Sequence, residues 1–185
     1  MHALTTTPMP RLSTAVRLLG LSGLVLALLT TSPPPAQAQA EHQVVLDARE
    51  ALRKKDRTQL VTASVAAQRH PLVQWIEYWE LSNRLGGAQV DELEAFYARW
   101  PGTYVEDRLR NDWLLELGRR RDWKNLATDF PRFRMNDDRE VTCYALLTDH
   151  LAGKDVTEAA RNAWLVQREA DDGCAHRLVF AALDL

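Results

Sequence analysis

The sequence predicts an all-α fold: an α-solenoid, or superhelical array, of about eight antiparallel helices arranged as TPR-like pairs. Three observations predict it. Pro71, Pro101 and Pro131 lie thirty residues apart and are the only prolines after position 35. The last two follow aromatics, in Trp100-Pro101 and Phe130-Pro131. Between these breaks apolar residues recur at three-to-four spacing, and no segment carries a strand signal. Punctuation at the period of a helix pair marks a repeated unit.

Residues 1–40 read as a secretory signal peptide rather than as part of the fold. Arg11 and Arg17 make a basic start without any Asp or Glu, Leu18 to Thr30 is a thirteen-residue apolar core, and small residues follow in AQAQA. The apolar core is shorter than the roughly 18 to 20 residues of a membrane-spanning helix, so contact with the membrane is expected only in transit. Cleavage is expected after Ala40, with Ala38 as the alternative. Residues 41–185 are then expected to form an α-superhelical domain exported to the periplasm.

The helices follow in order. Glu41 to Lys55 and Thr58 to His70 form an Ala-rich opening pair. His70, before a proline, reads as a turn residue. Pro71 suits the first turn of the next helix, where its missing N–H removes a donor that would be unpaired anyway, and Leu72, Trp75, Ile76 and Trp79 make its stripe. Gly86-Gly87 ends it. Val90, Leu93, Tyr97 and Trp100 form the following stripe, with Asp91, Glu92 and Glu94 near the positive end of the helix dipole.

After the Pro101-Gly102 turn, Thr103 and Glu106 have capping-box spacing ahead of Leu109, Trp113, Leu114 and Leu117, and Gly118 reads as a C-terminal cap. Asp122 caps a short helix through Trp123 and Leu126 that Pro131 closes. Val141 to Thr148, Val156 to Gln167 around Trp164, and Cys174 to Leu183 complete the array. On these stripes the tryptophans read as packing residues rather than as sugar-stacking ones.

Charge excludes a function class. Removing the leader leaves 21 basic against 25 acidic residues, a net charge of about −4, which argues against nucleic-acid binding. Arg119, Arg120, Arg121 and Lys124, joined by Arg132 and Arg134, are interrupted by acidic residues and read as a solvated face. The carboxylate groups Asp137, Asp138 and Glu140, and Asp171 with Asp172, read as loop or capping residues rather than as a catalytic pair. No cofactor is expected.

An ordered set of residues resembles the soluble lytic murein transglycosylases, over nearly all of residues 42 to 185. It comprises His70-Pro71-Leu72, Glu77-Tyr78 and Leu81, then Phe96 and the Trp100-Pro101-Gly102-Thr103 turn. The densest stretch is Asp107-Arg108-Leu109-Arg110 with Trp113-Leu114 and Asp122-Trp123; Cys143-Tyr144, Ala163-Trp164-Leu165 and Gly173-Cys174 follow. The resemblance implies a superhelical scaffold that holds or guides peptidoglycan glycan strands, of which residues 41–185 would be only the N-terminal part.

The family reaction it implies is non-hydrolytic cleavage of the bond between N-acetylmuramic acid and N-acetylglucosamine, ending in a 1,6-anhydro ring. In that family a far C-terminal domain carries a catalytic Glu followed by Ser, and a Gly-Leu-Met-Gln-like segment. No Glu of this chain precedes a Ser, so no catalytic position can be carried over, and the chain by itself is expected to be catalytically incomplete.

Cys143 and Cys174 are the only cysteines, and export would deliver them to an oxidising compartment. A disulfide is the leading reading, and the resemblance at both positions supports the pairing. Closing a loop of about 31 residues would stabilise by roughly 3 to 4 kcal/mol. The rival is a zinc site with His150 and His176. Against it, Cys143 and His150 seven apart on one helix have Cα atoms roughly 10 Å apart. Two functions remain: the scaffold portion of a lytic transglycosylase, expected here to stop inside its superhelix, or a stand-alone periplasmic helical-repeat adaptor that binds another protein.

Overall fold

The computed structural model describes residues 35–165, and among them every regular element is helical. Eight α-helices follow one another: α1 (Pro35–Lys54), α2 (Arg57–Ala66), α3 (Val73–Asn83), α4 (Val90–Arg99), α5 (Tyr104–Arg120), α6 (Trp123–Asp129), α7 (Arg139–Leu151) and α8 (Thr157–Leu165). Short 3-10 turns at Leu85–Gly87 and Phe130–Arg132 follow α3 and α6. The expected cleavage positions Ala38 and Ala40 fall in the first turns of α1. The expected helix from Cys174 to Leu183 lies outside the described residues.

The thirty-residue proline period has a structural counterpart. Between Pro71 and Pro101 lie α3 and α4, and between Pro101 and Pro131 lie α5 and α6. Helices α1, α3, α5 and α7 touch in series, while α2 packs on α1 and α3, α6 on α5 and α7, and α8 on α7. In the opening pair small residues permit close approach: Ala48, Ala63 and Ala67 form one buried cluster with Ile76 of α3. The larger cluster is built from α4, α5 and their flanks, with Leu93, Phe96, Leu109, Trp113, Leu114 and Leu117 among its buried members.

Helix starts are set largely by side-chain caps. Asp56, Thr103, Asp122 and Asp138 each accept the backbone N–H three residues on, from Gln59, Glu106, Asn125 and Val141. Such a bond satisfies one of the donors that a helix start leaves unpaired. Three expectations need correction at this level. Pro71 precedes α3 instead of entering it, because the His70 Nδ1 accepts the Leu72 N–H at 3.0 Å and closes a turn first. The Thr103–Glu106 capping box is half formed: the Glu106 carboxylate turns to the Gly102 N–H at 2.7 Å and to arginines. At the start of α4 the Glu92 carboxylate does reach back, to the Gln89 N–H at 2.8 Å.

Gly118 is the third correction. It lies inside α5, and the helix is closed by Arg121 in the left-handed conformation (φ 58°), whose N–H returns to the Leu117 and Gly118 carbonyls. Gly118 instead makes room for a ring of α7: a Cβ there would stand 2.1 Å from Cδ2 of Tyr144. Alanine at this position gains about 1 kcal/mol in helix propensity but must displace a ring wedged between α5 and Trp123. Overpacking decides the sign, and Gly118→Ala is expected to lower stability by about 1–3 kcal/mol in urea unfolding.

Candidate functional site

Part of the residue set that carries the resemblance lies on or beside α5. Val105, Leu109, Trp113 and Leu117 recur every four residues and are buried in the main cluster, as the apolar spacing of this segment requires. Charged residues on the neighbouring stripe are buried with them. Asp107 accepts the backbone N–H groups of Arg134 and Met135, the latter at 2.7 Å, and so fixes the segment ahead of α7. Asn111 donates to Asp138, the capping residue of α7, at 3.2 Å.

Arg110, only 1% exposed, is the largest fully buried side chain among the described residues. Its guanidinium donates to Asp129 at the end of α6 and to Glu106 one turn back at 3.0 Å. The Tyr97 ring of α4 lies beneath it, with the guanidinium carbon 3.9 Å from the ring centroid. Burial pushes the Asp129 carboxyl above the usual carboxylate range, and the Arg110 and Arg132 charges oppose that shift. Arg132 also binds Glu94 at 2.5 Å, which holds the Glu94 carboxyl below its usual range. This cluster ties α4, α5 and α6 together; its carboxylates face arginines, so it is a structural hub.

The Trp100-Pro101-Gly102-Thr103 turn joins the hub to the preceding pair. The Trp100 indole N–H donates to Glu77 of α3 at 2.8 Å, and Arg99 pairs with the same carboxylate at 3.0 Å. The Thr103 hydroxyl closes the turn on the Trp100 carbonyl at 2.7 Å, and Gly102 takes the positive φ of 75° that the turn requires. Pro101 lies in the exposed part of the same turn.

The other singled-out residues separate. Trp113 is buried, Trp123 packs partly buried against Tyr144, and Leu109 is fully buried. Arg108 points outward and pairs loosely with Asp112, at 3.6 Å. Trp164, expected on a packing stripe, is 37% exposed on α8. Cys143 is buried in α7 beside Leu147 and Ala163. Its expected partner Cys174 lies outside the described residues, as does His176. Among the described residues no group of three or more His, Cys, Asp and Glu side chains is placed to hold a metal ion.

Of the carboxylates singled out in sequence, Asp171 and Asp172 lie outside the described residues, and two of the others act locally. Asp138 caps α7, and Glu140 accepts the Tyr144 hydroxyl at 2.8 Å. Of the basic residues, Arg119 and Arg120 both turn back on Glu116, and Arg134 on Glu106. A surface groove of about 710 Å³ runs between α1 and α2 past Val44, Asp47, Val65 and His70. Most of its lining is exposed, and it brings together no reactive pair.

Sequence reasoning missed an aromatic surface where α3 meets α5. The Trp75 ring centroid lies 6.0 Å from Tyr78, 6.4 Å from Trp79 and 5.8 Å from Tyr104, which is 59% exposed. The Tyr78 hydroxyl donates to Asp112 at 2.7 Å. Burial of the ring, then the Asp112 charge, pushes the Tyr78 hydroxyl up to about 12. A signal was present in the sequence: Tyr104 stands one residue off the Val105-Leu109-Trp113-Leu117 stripe, and Arg108 and Asp112 continue its own line along α5.

Comparison with protein-family models, curated proteins and solved structures finds no match to this chain. No helix among the described residues is long and apolar enough to cross a membrane.

Proposed function

We propose that this chain is the N-terminal superhelical scaffold portion of a peptidoglycan lytic transglycosylase, exported to the periplasm, that holds glycan strands and contributes no catalytic residue of its own. The observation that carries the reading is that part of the resembling set shares one packing unit. The Trp100–Thr103 turn, Asp107, Leu109, Arg110, Trp113 and Leu114 belong to one contiguous hub around α5. Residues of the resemblance that share one packing unit favour a common scaffold. The serial contacts of α1, α3, α5 and α7, with α2 and α6 each bridging two of them, favour a helix-pair array. Export to an oxidising compartment would allow Cys143, on α7, to pair with Cys174.

The test is co-sedimentation of the purified chain with insoluble peptidoglycan sacculi, with soluble anhydromuropeptides followed in the same sample. Sedimentation without release is the expected result. Release of anhydro products would overturn the statement that the chain is catalytically incomplete. No sedimentation would overturn the scaffold reading and favour a protein-binding adaptor. One observation favours that second reading: Val61 and Val65 of α2 and Leu72, just ahead of α3, present apolar side chains to solvent.

A further inference from the structure

We infer that the surface formed by Trp75, Tyr78 and Tyr104, rimmed by Arg108 and Asp112, is a binding site for a neutral saccharide chain. The inference deepens the scaffold reading, on which it rests only for the identity of the sugar. It begins with helix position. Thr103 caps α5, so Tyr104 takes the first helical position, outside the buried stripe, and its ring is left largely in water. Contact between α3 and α5 brings Trp75 up against it, the two rings inclined by 37°. An exposed aromatic ring of this size is costly surface to leave in water, and a flat ligand would cover it.

The rim selects among ligands. Arg108 and Asp112 neutralise one another, so the surface carries no net charge to attract phosphates, and binding to nucleic acid depends on that attraction. A stable protein interface buries on the order of 1,000 Å² or more, which three rings on two helices do not supply. A pyranose matches what is present: its C–H face stacks on an aromatic ring while its hydroxyls meet a carboxylate acceptor and a guanidinium donor at the edge. Trp75 and Tyr78, packed partly buried against the main core, give the exposed Tyr104 ring a firm backing. The Tyr78 hydroxyl, held by Asp112, keeps both rim and ring in place.

The test uses the full chain and a tetramer of β-1,4-linked N-acetylglucosamine, with affinity read by calorimetry and by tryptophan fluorescence. Saturable binding is expected. Tyr104→Ala is expected to weaken it about tenfold or more, which corresponds to about 1.4 kcal/mol, without moving the thermal midpoint, because the ring is exposed. Trp164→Ala, which alters an exposed aromatic on α8, should leave the affinity unchanged. Absence of binding by the unaltered chain, or equal binding by Tyr104→Ala, overturns the inference.

Sacculus sedimentation of both proteins separates the two readings. Retention of Tyr104→Ala on sacculi, with equal tetramer affinity, overturns this surface and leaves the scaffold standing. Tetramer binding lost in Tyr104→Ala, when neither protein sediments, upholds the surface and overturns the scaffold. Saturable binding of a protein to this surface in place of the sugar overturns the saccharide assignment.

Discussion

Arg110→Ala is expected to destabilise the fold by about 3–5 kcal/mol at neutral pH, the cost of removing one member of a buried ion pair. Three losses combine. The guanidinium covers the Tyr97 ring, donates to Glu106 and faces Asp129, which is itself buried at the end of α6. Without it Asp129 is left as a charge with only the more distant Arg132, at 3.4 Å, to oppose burial. Small domains have only about 5–15 kcal/mol in hand, so the variant stands near the threshold of folding.

The pH dependence identifies the cause. In the variant, burial raises the folded-state pKa of Asp129 above its unfolded value, so folding favours the protonated carboxyl. The defect is therefore smallest below the unfolded value of about 3.9 and grows as pH rises through the folded one. Urea unfolding at pH 4.5 and pH 7 should show the gap from the unaltered chain widening with pH. Arg110→Ala with Asp129→Asn should recover part of the loss at pH 7. A gap that does not change with pH would mean that the guanidinium acts by packing over Tyr97 rather than by charge.

Arg110 also shows where sequence reasoning stops. The breaks between α-helices were legible because proline is excluded from the α-helix interior: Pro71, Pro101 and Pro131 each stand outside the α-helices, whatever the packing around them. Asp122 was legible as a cap for the same local reason, since its carboxylate needs only the amide three residues on. Gly118 was not. A glycine near the end of an apolar stripe signals a cap, but its role was set by Tyr144, more than twenty residues away, whose ring needs the missing Cβ.

The charged residues of α5 stand out in the sequence, but not as a buried set. Arginine is rarely fully buried, so nothing in Asp107-Arg108-Leu109-Arg110 tells which arginine turns inward. The i+4 line from Glu106 to Arg110 and the end of α6 decide it, and the second of these is tertiary. The aromatic surface escaped in the opposite way. Tryptophans at helical spacing read as core, and Trp113 is core, yet Trp75 also supports a tyrosine that the cap at Thr103 turns toward water.

Trp113→Ala is expected to cost about 3–5 kcal/mol, the usual loss for a large aromatic removed from a packed interior. The side chain sits among the buried leucines of α5 and below the Arg120 guanidinium, which stands 5.1 Å from its ring and also donates to the Leu85 carbonyl at 3.0 Å. Losing the ring would open a cavity beneath that arginine, which keeps its bonds to Glu116 and to the Leu85 carbonyl. Trp113→Phe keeps most of the volume and should cost much less, within about 1.5 kcal/mol if the core relaxes. The contrast with Tyr104 separates structure from ligand binding. Trp113→Ala should lower the urea midpoint sharply, while Trp113→Phe should leave the acrylamide-quenchable part of the tryptophan fluorescence unchanged, because this indole is buried. Tyr104→Ala should leave the midpoint in place. If Trp113→Ala left the midpoint unmoved, the hub around α5 would not be what holds these helices together, and the buried charged residues gathered there would need a role other than packing.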